Sequence, residues 1–131
     1  MKRIVSISCI LLVVLFLVGC SGGVSVGGFS SKYMNSDDYE AAVQEVMTYF
    51  SSFEGCTMKK IGYAGDAAVK TEAEARGLAP EEVIVLTSTF ETDGENHNNG
   101  LNPNYTYEDY TWTLTRDTSA GLWEVTDHGY G

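Results

Sequence analysis

Apolar and polar positions follow several distinct rhythms along the 131-residue chain. The first is unbroken: Ile4 to Val18 is apolar apart from Ser6 and Ser8, and it follows Lys2 and Arg3. The second has the period of a helix. Tyr39, Ala42, Val43, Val46, Met47, Phe50 and Phe53 form one stripe after Ser36-Asp37-Asp38, where Ser36 or Asp37 can cap and the acidic first turn suits the helix dipole. Gly55 closes that segment. Cys56 to Tyr63 reads as a short extended piece. A second helix is expected over Ala67 to Arg76, capped by Asp66, stopped by Gly77 and followed by Pro80. Its apolar residues are mostly alanines, so it is expected to lie shallowly on the surface.

The third rhythm has period two. Glu82 to Thr92 is β-branched and aromatic without a breaker, and Tyr105 to Arg116 puts Tyr110, Trp112 and Leu114 on one face with Thr111, Thr113 and Thr115 on the other. Asp117 to Gly121 is a turn, and Leu122 to Asp127 returns with Trp123 and Val125 on one face. Strands with one apolar face need a cover, and the first helix carries the matching stripe. The expected fold is α+β, with a long N-terminal helix and a small second helix packed on a curved, cone-like antiparallel sheet.

The opening run changes the picture of where the chain resides. It has the charged start and apolar centre of an export signal. At 15 residues it is short of the roughly 20 that a transmembrane helix needs, and no basic stop-transfer segment follows it. Through Leu17-Val18-Gly19-Cys20, with Ser21 behind, it resembles bacterial lipoprotein signals. That resemblance implies removal of residues 1–19 and diacylglycerol on the Cys20 thiol, and hence an extracytoplasmic domain anchored to the cell membrane by its acyl chains. Ser21 to Ser31, with four glycines and four serines, reads as a flexible tether. An edge strand through Val24 and Val26 is the competing reading, and the flanking glycines argue against it. The organisation is then signal 1–19, lipidated cysteine and tether 20–31, and one domain 32–131.

Charge and cysteines narrow the chemistry further. The chain carries −10, and loss of Lys2 and Arg3 with the signal leaves six basic side chains against 18 acidic ones, or −12. Such a surface repels nucleic acid. Cys9 leaves with the signal and Cys20 is acylated, so Cys56 stands alone without a disulfide partner and is expected to be a small buried hydrophobe rather than a reactive thiol. Phosphate-loop, zinc and nucleophile motifs are absent from the sequence, and no cofactor is expected.

Three groups remain as candidates. Asp127-His128 offers an acid–base pair, but neighbours on a strand face opposite ways, so cooperation requires a bend, which Gly129 could supply. Asp93, Glu95 and His97 alternate in a loop in the manner of cation ligands. The EF-hand pattern fails there, because no glutamate closes it and the glycine is misplaced, so a solvated connection is expected. Phe50, Tyr110, Trp112 and Trp123 form an aromatic set able to line a ligand pocket, with core packing as the simpler role. Tyr105 and Tyr107 fall on the face opposite Trp112 if their strand is regular.

The order of two helices and a meander, with Trp112-Thr113-Leu114 and the ending Trp123-Glu124-Val125-Thr126-Asp127-His128-Gly129-Tyr130-Gly131, resembles the nuclear-transport-factor-two-like (cystatin-like cone) superfamily. It is similar to lipoproteins of Gram-positive bacteria with a like tail. The resemblance implies a pocket between helix and sheet. The superfamily hosts binding modules, isomerase- or cyclase-like enzymes and homodimerisation domains, so the fold does not choose among them. The expectation is a non-enzymatic domain that binds a small ligand or an envelope protein. An interior filled by Phe50, Trp112 and Trp123 would turn the search to the outer sheet face and to protein partners.

Overall fold

The computed structural model describes residues 23–130; the signal, Cys20 and Gly131 lie outside them. The elements run β1 (Ser25–Val26), α1 (Ser36–Phe50), β2 (Cys56–Tyr63), α2 (Asp66–Arg76), a 3₁₀ turn (Pro80–Glu82), β3 (Val83–Thr92), β4 (Thr106–Thr115) and β5 (Glu124–Tyr130). The strands form one open sheet in the order β1-β2-β3-β4-β5. It is mixed, because β1 pairs parallel to β2 while the other pairs are antiparallel. The class is α+β. The long N-terminal helix is not found: α1 has 15 residues and stops at Phe50, so Phe53 packs from the following turn.

Asn35, not Ser36 or Asp37, caps α1. Its side chain accepts from the Asp38 N–H at 3.0 Å, and the Asp38 carboxylate accepts from the Asn35 N–H at 3.0 Å. Asp66 is likewise not the cap of α2 but its first residue, preceded by Gly65 at φ 110°. Its carboxylate accepts from the Tyr63 hydroxyl and from the Lys32 N–H. Burial and the adjacent Asp66 carboxylate together push the Tyr63 phenol up to about 12. Gly77, left-handed at φ 68°, ends α2 as the sequence requires.

The two helices cover opposite faces of the sheet. Alternation on β3 sends Ile84, Leu86 and Phe90 under α1, while Val83 and Val85 meet Val69 and Ala73 of α2. The helix expected to lie shallowly thus buries Val69 and Ala73 completely enough to form a second core. The segment read as a tether is docked over its later part. Gly27 N–H donates to Ile61 O, Tyr39 Oη donates to Gly27 O, and Phe29 stacks on Tyr39 at 4.7 Å. The expected glycine block on strand pairing fails because two residues suffice for the β1 ladder.

Two bulges shape the middle of the sheet. Ser88 pairs with Tyr110 and Phe90 with Tyr107, so Thr89 faces both Glu108 and Asp109, and Asp109 takes φ 57°. Lys59 is the extra residue on the β2 side. Bulges bend a strand and increase its twist, which curls the sheet at this level. They also put Tyr107 on the inner face, where it is buried and stacks on Phe90 at 5.1 Å; the opposite placement assumed a regular strand.

At the other end of the inner face, Arg116 is buried with its guanidinium 2.9 Å from an Asp38 carboxylate oxygen and 4.0 Å above the Trp123 ring. Arg116 Nε donates to Glu81 O, and Trp123 Nε1 donates to Asp38 O at 3.0 Å. Burial alone would push the Asp38 carboxyl up. The hydrogen bond from the Asn35 N–H and the Arg116 charge overcome this and hold it below the usual carboxylate range. Among the described residues no buried side-chain polar atom lacks a partner.

The innermost of these bonds is testable. Trp112, fully buried, donates its indole N–H to Ser88 Oγ at 2.8 Å, and Ser88 donates to Tyr110 O at 3.2 Å. Ser88→Ala orphans the indole N–H and is expected to cost about 1–3 kcal/mol in urea unfolding. In a Trp112→Phe background, which has no such donor, the same change is expected to cost clearly less; equal costs would contradict the assignment.

Candidate functional site

The interior between α1 and the sheet is filled. Phe50, Phe90, Trp112 and Leu114 are buried there, with Phe53 wedged 5.7 Å from the Trp112 ring. Trp123 is buried too, at the Arg116 end. A cleft of about 280 Å³ opens at the far end of α1, lined by Tyr49, Ser52, Phe53, Asn99, Leu101, Tyr110 and His128; a wider one of about 530 Å³, with Glu45, Asp117 and Glu124 on its walls, lies at the Arg116 end. The helix ends at the first of these and leaves the sheet, so the chain cannot close over the last inner row.

His128 forms the floor of this mouth. On β5 it pairs with Trp112 across the ladder and lies against that indole at 5.2 Å, with the Tyr110, Tyr49 and Phe53 rings within 6 Å. Both of its nitrogens meet tyrosine hydroxyls: Nδ1 is 2.8 Å from Tyr110 Oη and Nε2 is 3.3 Å from Tyr49 Oη. An uncharged imidazole has one N–H, so one tyrosine donates to it while the other accepts. The chain of three groups runs from the buried Tyr110 to the exposed Tyr49. Burial raises the Tyr110 phenol.

Asp127 does not join His128. The ladder continues straight through Gly129, and Asp127 lies on the outer face, 3.7 Å from Arg76 of α2. Gly129 supplies no bend, and the adjacent acid–base pair is not formed.

The acidic loop is drawn together in part. Both Asp93 carboxylate oxygens lie 3.0–3.1 Å from His97 Nε2, and Glu54 Oε1 lies 3.6 Å from Nδ1. Glu95 contributes its N–H, which donates to Asp93, rather than its carboxylate. That N–H and then His97 hold the Asp93 carboxyl below its ordinary range, and the bond to Asp93 raises the His97 imidazole. Among the described residues no three His, Cys, Asp or Glu side chains converge on a metal position. The contact is a latch. It ties the loop after β3 to the turn after α1, with Asn99 Nδ2 donating to Glu54 O at 3.3 Å. Gly55, at φ 72°, passes so close to His97 and Asp93 that a Cβ would strike both. Cys56 beside it is half-buried rather than enclosed; burial and then Asp93 push its thiol up, away from reactivity.

Of the four aromatic candidates, Tyr110 alone reaches the mouth; Phe50, Trp112 and Trp123 are core. Tyr49, Ser52, Asn99 and Leu101 were missed. Tyr49 was within reach, since it lies three residues after Val46 on the same helical flank. Asn99 and Leu101 are placed only by the loop, which has no period to read. Compared with protein-family models, curated proteins and solved structures, the chain matches none.

The latch carries a pH dependence with a definite sign. A raised His97 value means that its contribution is complete below the unfolded imidazole value of about 6.5 and is lost as pH rises through the folded one. Proteolysis within the loop of residues 93–104 is expected to accelerate from pH 6 to pH 8.5, after correction for the protease's own profile. His97→Gln is expected to be cleaved fast at both. Cleavage that does not depend on pH in the parent protein would contradict the latch.

Proposed function

We propose that this chain is a lipid-anchored extracytoplasmic binding domain whose ligand enters the mouth at Tyr49, Tyr110 and His128. The anchoring half rests on Leu17-Val18-Gly19-Cys20 at the end of an export-type segment. No helix among the described residues is long and apolar enough to cross a membrane. The binding half rests on one observation: the apolar interior is full, and the cleft at the far end of α1 collects aromatic rings with hydroxyl, amide and imidazole groups, whereas the wider cleft at the Arg116 end is walled by Glu45, Asp117 and Glu124. Sites for small ligands combine a mainly apolar wall with a few polar groups in this way. The open, bulged sheet with a helix across its inner face is the reason to keep the cone-like superfamily as the structural analogy. The placement of α2 on the outer face departs from a simple cone with both helices inside.

Anchoring predicts that Cys20→Ala abolishes labelling by radioactive palmitate and releases the protein from the membrane fraction; unchanged labelling would refute it. The binding site predicts the outcome of a screen of small neutral, charged and aromatic compounds against isotope-labelled full-length protein in phosphocholine nanodiscs. Hits are expected to shift the amide signals of Ser52, Asn99 and His128. Hits that instead move Lys60, Thr87 and Thr89, which line an outer-face depression of about 240 Å³, would contradict it.

A further inference from the structure

The chemistry of the mouth narrows the class of ligand, given the reading that the mouth is a binding site. Its lining has no lysine or arginine to pair with a phosphate or carboxylate, and both nitrogens of its one imidazole, His128, are already taken by tyrosine hydroxyls. It has no aspartate or glutamate either, so nothing pairs with an ammonium. The overall charge of −10 adds a field that disfavours anions further.

Three of the polar groups that are present share one property. His128 spends both nitrogens on tyrosine hydroxyls, but Ser52, Asn99 and the Tyr49 hydroxyl each can give and take a hydrogen bond and keep capacity after their internal bonds are counted. Ser52 Oγ donates to Tyr49 O at 2.8 Å and retains lone pairs. Asn99 uses one N–H on Glu54 O and one lone pair on the Leu101 N–H, leaving one of each. Tyr49 Oη has a single long contact, to His128. Around these groups stand the apolar surfaces of Tyr49, Phe53 and Leu101, with the Tyr49 side chain 42 % exposed.

A ligand that matches this set has apolar faces, a rim of adjacent groups that each donate and accept, and no charge. We infer that the mouth takes an uncharged pyranose ring, its C–H face on Tyr49 and Phe53 and its hydroxyls on Ser52, Asn99 and the Tyr49 hydroxyl. The cleft volume of about 280 Å³ is at the small end for ligand sites and fits one ring with its substituents rather than a long chain. A purely aromatic ligand would leave the Ser52 and Asn99 capacity unused, and a charged sugar would bring its charge into a site with no counter-charge.

Saturation-transfer NMR on full-length protein in phosphocholine nanodiscs tests this with five probes: glucose, N-acetylglucosamine, glucuronate, glucosamine and phenol. The neutral sugars are expected to saturate in the millimolar range, with transfer strongest at ring C–H protons. Glucuronate and glucosamine are expected to bind at least about tenfold more weakly, a difference of about 1.4 kcal/mol. Tyr49→Ala, a change at an exposed position, is expected to weaken the neutral sugars about tenfold, and Asn99→Ala to do so independently. If phenol or a charged sugar binds in a Tyr49-dependent way while the neutral sugars do not, the sugar assignment falls and the mouth remains a site. Neutral-sugar binding that is indifferent to both substitutions also overturns the assignment. If none of the probes binds at 20 mM, and the broader screen leaves Ser52, Asn99 and His128 unmoved, the mouth itself is not the site.

Discussion

The contact of the half-buried Asp38 with the buried Arg116 and Trp123 fixes how the helix lies on the sheet. Arg116 follows β4, Trp123 precedes β5, Asp38 lies in the first turn of α1, and Arg116 also holds the Glu81 carbonyl before β3. Four parts of the chain thus meet at one guanidinium. Such a pair is costly to desolvate, and its presence is better evidence of positioning than of added stability. Here Asp38 serves twice, since the same carboxylate completes the cap of α1. Fixing the helix N-terminus at this corner sets the direction in which its other end leaves the sheet.

Everything at the other end follows from that direction and from packing. Aromatic side chains take up the inner volume, and the bulge at Asp109 brings Tyr107 and Tyr110 onto one face. Beyond Phe50 the helix stops, so Tyr49 and Phe53 overhang the last inner row, where β5 presents His128. The His97 latch then closes one side with the loop that carries Asn99 and Leu101. The mouth is what remains when a short helix covers a longer sheet. The free hydrogen-bonding capacity of Ser52, Asn99 and Tyr49 there follows from the residues that line that remainder.

Where a single period governs a segment, the sequence is readable. The Tyr39–Phe50 stripe and the Trp112–Leu114 alternation lead directly to the inner core, and Gly77 to the end of α2. Reading fails where tertiary context supplies the missing term. Two-residue pairing at Ser25–Val26 is stabilised by Phe29 and Tyr39 from outside the strand, and the surface role given to α2 ignored Val69 meeting Val83 and Val85. The regular strand on which the opposite placement of Tyr107 depends is broken at the Asp109 bulge, and a positive φ at a non-glycine residue has no period to reveal it. Of the mouth, His128 and Tyr110 were visible as candidates, but the partner named for His128 was its neighbour Asp127. Strand geometry turns that neighbour away and brings Tyr49 from 79 residues distant instead.

The most direct test of this account is a double-mutant cycle between Asp38→Asn and Arg116→Met, read by urea unfolding. Both changes preserve shape, and Asn at position 38 keeps a capping side chain. The account predicts a coupling of about 1–3 kcal/mol, with the double variant less destabilised than the two single losses added together. A coupling near zero, within about 0.5 kcal/mol, would show that the two groups do not act on each other, and the corner would no longer explain where the mouth opens.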